Sequence, residues 1–130
     1  MKNKEITTIM IPIKSRFVKD ILAKTKTFEL RRTIPKKDVD RIILYETMPV
    51  GAAVASIAIK CIHHKTIEEL WELTKGKNSL TKEEFNKYFD GKTKGYAYEI
   101  SKVFNFFDRI SLKRYNIKNP PQNFIYMKDR

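Results

Sequence analysis

Lys26, Glu29 and Arg31 stand in the order K-x-x-E-x-R within the stretch ILAKTKTFELRR, residues 21–32, and these side-chain types at that spacing can recognise a phosphate. A guanidinium offers donors in a fixed fork that fits phosphate or carbonyl oxygens, and an ammonium adds a point charge. The carboxylate can accept from a base or a sugar hydroxyl, or orient the cations. Period-two alternation puts Glu29 and Arg31 on one face of a strand over about residues 27–33. An ion pair of purely structural use fits the same spacing. Strict alternation would send Lys26 to the other face, beside Phe28 and Leu30, so it reaches the pair only from a turn preceding the strand. From there its ammonium can meet a phosphate or, once desolvated, act as a base.

Further residues invite chemistry. Lys14 and Arg32 add positive charge on either side of the motif. Tyr45 follows an apolar run and precedes the polar Glu46-Thr47 turn, which suits a ring that stacks on an unpaired base. Gln122 follows Pro120-Pro121, whose fixed φ angles would hold its amide rigidly at a cleft edge. Cys61 and His63 would share a strand face, with His64 adjacent, but the chain has one Cys and two His. That is short of a zinc ligand set, so no metal is expected. No phosphate-binding glycine loop or dinucleotide fingerprint is present, and no cofactor is expected.

The elements that must position these residues follow from periodicity. Residues 5–13 alternate as a first strand, in which Pro12 points to a sheet edge or a strand end. Ser15 is a plausible N-cap for a helix over about 16–24 whose stripe is Phe17, Val18, Ile21 and Leu22. After the strand at 27–33 and a polar connection at 34–38, residues 41–47 form a third strand and 52–62 a fourth, rich in small and β-branched residues. Thr66 with Glu69 and Thr81 with Glu84 each fit a capping box, and Leu80 with Phe85 a hydrophobic staple, so two short helices follow. Trp71 belongs to their core face. Residues 95–110 form a long strand with Tyr96, Tyr98, Ile100, Phe104 and Phe106 on one side. This order excludes a regularly alternating parallel α/β sheet and favours an α+β fold, a small mixed barrel decorated by about three helices.

The whole chain, residues 1–130, is expected to be one domain. No apolar run is long enough to span a bilayer, so no membrane partner is expected, and the chain is expected in the cytoplasm. Its formal net charge is +12, and the charge is segregated: residues 14–41 and 91–130 each carry a net +6, whereas 63–90 carry −1. A polyanionic partner follows, with an acidic protein as the other candidate.

At this point the sequence resembles a known family. A strand ending Ile13-Lys14, a helix ending Ile21-Leu22 and the K-x-x-E-x-R motif are followed in order by Asp40–Tyr45, Thr47 and Pro49. The helical insert with Trp71 and Phe85, Gly95–Ile100 and the terminal Pro120–Phe124 complete the set. Together they look like the ASCH domain, a relative of the PUA RNA-binding barrel. The resemblance implies a PUA-like barrel with a cleft between barrel and helices, used on RNA, single-stranded nucleic acid or a nucleotide. Lys14, Lys26, Glu29, Arg31, Arg32, Tyr45 and Gln122 would then form the site. Roles in this superfamily include RNA binding in transcription or translation control, ribonuclease activity and deacetylation of acetylated cytidine. For the last of these Lys26 matches the catalytic lysine, but the family's threonine falls on Glu29 and its glutamate near Asn78.

Overall fold

The computed structural model describes residues 6–128. In chain order the elements are β1 (Thr8–Ile13), α1 (Ser15–Leu22), β2 (Phe28–Arg31), β3 (Arg41–Glu46), β4 (Ala52–Thr66), α2 (Ile67–Thr74), α3 (Lys82–Tyr88), β5 (Lys94–Ile110) and β6 (Ile125–Tyr126), with a 3₁₀ turn at Leu112–Tyr115. The six strands form one sheet in the order β2-β5-β4-β3-β1-β6. β1 and β3 run parallel and every other pair is antiparallel. The α+β class and three helices agree with the sequence reading; among the described residues the ladder is not closed, and β2 and β6 are its edges. Glu5, the expected first residue of β1, lies outside the described residues.

Both capping boxes form. Thr66 accepts from the Glu69 amide and Thr81 from the Glu84 amide, and each glutamate answers on the threonine's own N–H. Each box is worth about 1 kcal/mol and fixes where its helix begins. α1 differs from expectation: its N-cap is Lys14, without a side-chain cap, and Ser15 is already the first helical residue. The β5 aromatics also depart from simple alternation. The β4–β5 register shifts between Ala53 and Ala55 and twice more between Ala58 and Cys61, and each shift turns the following side chains over. Tyr98 and Ile100 keep to one side, in the main core, as alternation expects, whereas beyond the shifts Phe104 is exposed and Phe106 packs with Tyr45 and Met10.

β2 separates two apolar clusters. Phe28 and Leu30 point into one made with Leu70, Phe85, Phe89 and Ala97 beneath α2 and α3, with Trp71 at its margin. The main core, formed by β1, α1, β3, β4 and Tyr98, lies on the sheet's other side. Glu29 and Arg31 take the second face, because Glu29 pairs with Tyr98 and Arg31 with Tyr96 across the β2–β5 ladder. The apolar clusters thus set the strand's orientation and leave its two charged residues on the face where a cleft opens.

Gly95, at the start of β5, shows how closely the helices sit on the sheet. A methyl group there would meet the Phe89 ring and come within 3.0 Å of Leu70 Cδ1. Gly95→Ala is expected to destabilise the fold by about 1–3 kcal/mol through overpacking. Urea unfolding measures it, and an unchanged midpoint would mean that Phe89 moves aside freely.

Candidate functional site

The turn between α1 and β2 carries Lys26, and its geometry shows why alternation does not apply there. The Asp20 carbonyl at the end of α1 accepts from the amides of Thr25 and Lys26, and Lys24 adopts a left-handed conformation with φ of 64°. The chain then attaches to the loop between α2 and α3: Thr27 and Phe28 donate their amides to Lys77 O, at 2.9 and 3.3 Å. Lys26 is thereby turned inward beneath that loop. It is 3% exposed, and its Nζ donates to Asn78 O at 2.8 Å and lies 3.5 Å from Glu29 Oε1. The Phe17 ring centroid lies 5.1 Å from the same nitrogen.

Glu29, 7% exposed, is gripped from its other oxygen. Arg31 places Nε and Nη2 each 3.1 Å from Glu29 Oε2, and Nη2 also donates to Pro12 O at 3.3 Å. The three residues of the motif therefore converge: one carboxylate bridges an ammonium and a guanidinium. Burial is the dominant influence on Lys26 and lowers its pKa below the usual lysine value; Glu29 opposes the shift and Arg31 adds to it. Desolvation outweighs the opposing influence of the neighbouring carboxylate.

The three side chains line a cleft of about 490 Å³ between the sheet and the helices. Lys14, Arg16 and Lys87 add positive charge to its lining, Phe17, Leu80 and Tyr88 give apolar walls, and Glu84 adds a second carboxylate. Arg16 spans from α1 to α3, with Nη1 2.9 Å from Glu84 Oε2 and Nη2 donating to Ser79 O at 3.1 Å. That bond, with the capping contact to the Thr81 amide, holds the Glu84 carboxyl down to about 2. Tyr88 donates its hydroxyl to Leu30 O at 3.2 Å, and burial raises its pKa. Behind Glu29, the Tyr98 hydroxyl is buried without a hydrogen-bond partner among the described residues, and burial pushes its pKa up to about 12.

Of the residues singled out from sequence, Lys14, Lys26, Glu29 and Arg31 meet in this cleft. Arg32 does not: its Nη1 donates to Tyr88 O and Asp90 O, bracing β2 to the end of α3. Tyr45 is 4% exposed and packs with Met10 and Ala53, so its ring is not offered to a base. Gln122 is exposed and is not among the cleft-lining residues. Asn78, where the family's glutamate was expected to fall, is wholly buried. Its side chain is used structurally, donating to Thr74 Oγ1 at 3.0 Å and accepting from the Leu80 amide at 2.8 Å; only its carbonyl serves Lys26. Arg16, Phe17, Lys87 and Tyr88 were missed as site residues. The one local sign was Phe17 on the apolar stripe of α1, since the remainder depends on how α3 docks.

A buried lysine with a lowered pKa loses its proton earlier in the folded protein than in the unfolded chain. Between those two pKa values the unfolded chain holds more protons, so this residue makes stability rise with pH on the approach to 10.5 from below. Lys26→Met should abolish that rise. Urea unfolding of both proteins from neutral to alkaline pH is expected to show the wild type gaining on the variant, and a pH-independent difference would contradict the desolvation.

Comparison with known proteins places this geometry. The family described as "Domain of unknown function (DUF365)" matches residues 6–129. The large ribosomal subunit protein uL22 of Ureaplasma parvum is 28% identical over 131 residues, covering 98% of this chain and 42% of that protein. The chain thus spans about two fifths of that relative's length. An ASCH domain-containing ribonuclease of Zymomonas mobilis is 29% identical over 90 residues, covering 68% of this chain and 61% of the ribonuclease. The crystal structure of a serine-to-alanine variant of the ASCH protein from Zymomonas mobilis superposes with a TM-score of 0.85 at 25% identity, covering 93% of this chain and 88% of that one. The ASCH resemblance read from the ordered motifs thus holds in three dimensions. By its sequence the chain belongs to the DUF365 family, and its fold is that of the ASCH domain.

Proposed function

We propose that this chain binds single-stranded RNA, or a nucleotide, through its phosphates in the cleft between the sheet and helices α1 and α3. The observation that carries the reading is the grouping of Lys14, Arg16, Lys26, Arg31 and Lys87 around one opening where, among the described residues, Glu29 and Glu84 are the lining counter-charges. Such a surplus favours a polyanion. Glu29 already accepts from Lys26 and Arg31, so its role is to fix the two cations in place for a ligand. Phe17 and Tyr88 offer apolar surface for a base or sugar beside the charges. The relative named as an ASCH domain-containing ribonuclease supports RNA as the polymer. The ASCH resemblance supports a regulatory role in transcription or translation as one use of such binding, and a PUA-like barrel as the architecture to which the open six-stranded sheet is related.

A second reading is hydrolysis of RNA or of a modified nucleoside. Its support is Lys26, whose lowered pKa increases the fraction of neutral amine able to take a proton. Deacetylation of acetylated cytidine is the less favoured form, because Glu29 and the inward-turned Asn78 occupy the other two positions of that pattern.

Filter binding of a short single-stranded RNA should detect a complex at low salt that weakens steeply as salt rises. Lys14→Ala and Lys87→Ala, both exposed at the rim, are each expected to lower the salt slope by about 1 without moving the melting temperature. Arg31→Ala should weaken binding by about 1–3 kcal/mol. A large fall in its melting temperature with unchanged affinity would assign Arg31 to structure alone, and no RNA association at low salt would overturn the proposal.

For catalysis the expected outcome is no release of acetate from acetylated cytidine, followed by chromatography of the nucleoside. Turnover that disappears in Lys26→Ala would establish the hydrolase reading instead.

A further inference from the structure

The β4–β5 ladder brings together a second cluster, on the face of the sheet opposite Glu29 and Arg31. Cys61 and His63 are two residues apart on β4, and Glu99 on β5 pairs directly with Cys61. His63 Nε2 lies 2.8 Å from Glu99 Oε1 and 3.3 Å from Cys61 Sγ, and Sγ lies 3.7 Å from Oε1. From sequence alone the set stopped at Cys61 and the two histidines. The cross-strand carboxylate supplies the third donor, while His64 turns to the other face and stacks on Tyr96 with ring centroids 4.2 Å apart.

Two other uses of a thiol, an imidazole and a carboxylate fit this geometry poorly. A nucleophilic relay employs both ring nitrogens, one toward the thiol and one toward the acid. Here sulfur and carboxylate both converge on Nε2. A plain His63–Glu99 ion pair would not require the Cys61 sulfur at the same point. The donor triangle does fit a coordinated ion. Tetrahedral zinc, with bonds of about 2.3 Å to sulfur and about 2.0–2.1 Å to nitrogen and oxygen, sets its S···N and S···O edges at about 3.6 Å and its N···O edge at about 3.4 Å. The observed edges of 3.3, 3.7 and 2.8 Å need only a small opening between His63 and Glu99. Neighbours already orient the ligands: Lys60 Nζ lies 3.5 Å from Glu99 Oε2, leaving Oε1 toward the cluster, and the Phe28 ring packs at 5.9 Å from His63.

We propose that Cys61, His63 and Glu99 form a binding site for one zinc-like divalent cation, with sulfur, nitrogen and oxygen as its three protein ligands and the fourth position open to solvent. The thiol is exposed, so an ion reaches it without rearrangement of the fold, and its proton passes to solvent as the metal–sulfur bond forms. Three ligands and an open position are the arrangement of a site that keeps a water or an anionic ligand on the metal.

Titration of the full-length, chelator-treated and reduced protein with Co²⁺ tests the site. The expected result is a thiolate-to-cobalt charge-transfer band that saturates at one equivalent, is lost in Cys61→Ser and is displaced by Zn²⁺. His63→Ala and Glu99→Gln should each weaken binding by at least about tenfold. His64→Ala should change it less than twofold, because that ring faces away. Saturating Zn²⁺ should also protect Cys61 from a thiol reagent until chelator is added. The cluster lies at the surface, and melting temperatures verify that each variant is folded. Absence of the charge-transfer band, or its persistence in folded Cys61→Ser, would overturn the proposal, as would an equal loss in His64→Ala.

Discussion

Burying a carboxylate costs several kcal/mol unless charges and donors reach it, and much of the local architecture around Glu29 serves that requirement. Arg31 is near for free, two residues along the same strand face. Lys26 is not, because the strand's own period would turn it away. It arrives through a backbone detour: α1 ends at Leu22, Lys24 goes left-handed, and the turn is pinned both to Asp20 and to the loop carrying Lys77 and Asn78. That loop is held in turn by the Thr74–Asn78–Leu80 hydrogen bonds at the end of α2. A requirement of one buried carboxylate thus links the first helix, the edge strand and the helical insert.

The cleft walls are joined by weaker means. Arg16 and Glu84 connect α1 to α3 across the opening, both well exposed, and such a pair contributes little to stability and is screened by salt. The floor is therefore rigid and the rim adjustable. This division suits a ligand whose phosphates are read on the floor while its remaining surface varies, and it gives the rim cations freedom to exchange protein carboxylates for ligand oxygens.

What was legible in the sequence is what short-range physics decides. Thr66 and Thr81 announced their helices because a capping box involves residues three apart. Lys26 could be placed in a turn because placing it on the strand would have buried it beside Phe28 and Leu30. Ser15 misled by one residue, since Lys14 took the cap without a side-chain bond. Tyr45 had an equally plain local pattern, yet an alternating strand residue can face either the core or a ligand, and packing against Met10 and Ala53 decided for the core. On β5, Tyr96, Tyr98 and Ile100 followed alternation, whereas Phe104 and Phe106 did not, because register shifts leave no mark on the strand that carries them. Arg16, Lys87 and Tyr88 lie far from the motif along the chain and meet it only through the docking of α3. Glu99 joined Cys61 and His63 for the same reason, across a ladder whose register the sequence does not encode locally.

The short strand β6 settles beside the strand that opens the sheet, Tyr126 opposite Ile9, with the Met127 amide donating to Thr8 O at 2.9 Å. Entry and exit of the described fold thus lie one strand spacing apart, at the β6 edge of the sheet. For a host polypeptide, a unit with adjoining portals behaves as a graft that asks for little loop-closure entropy and does not stretch or reroute the chain around it.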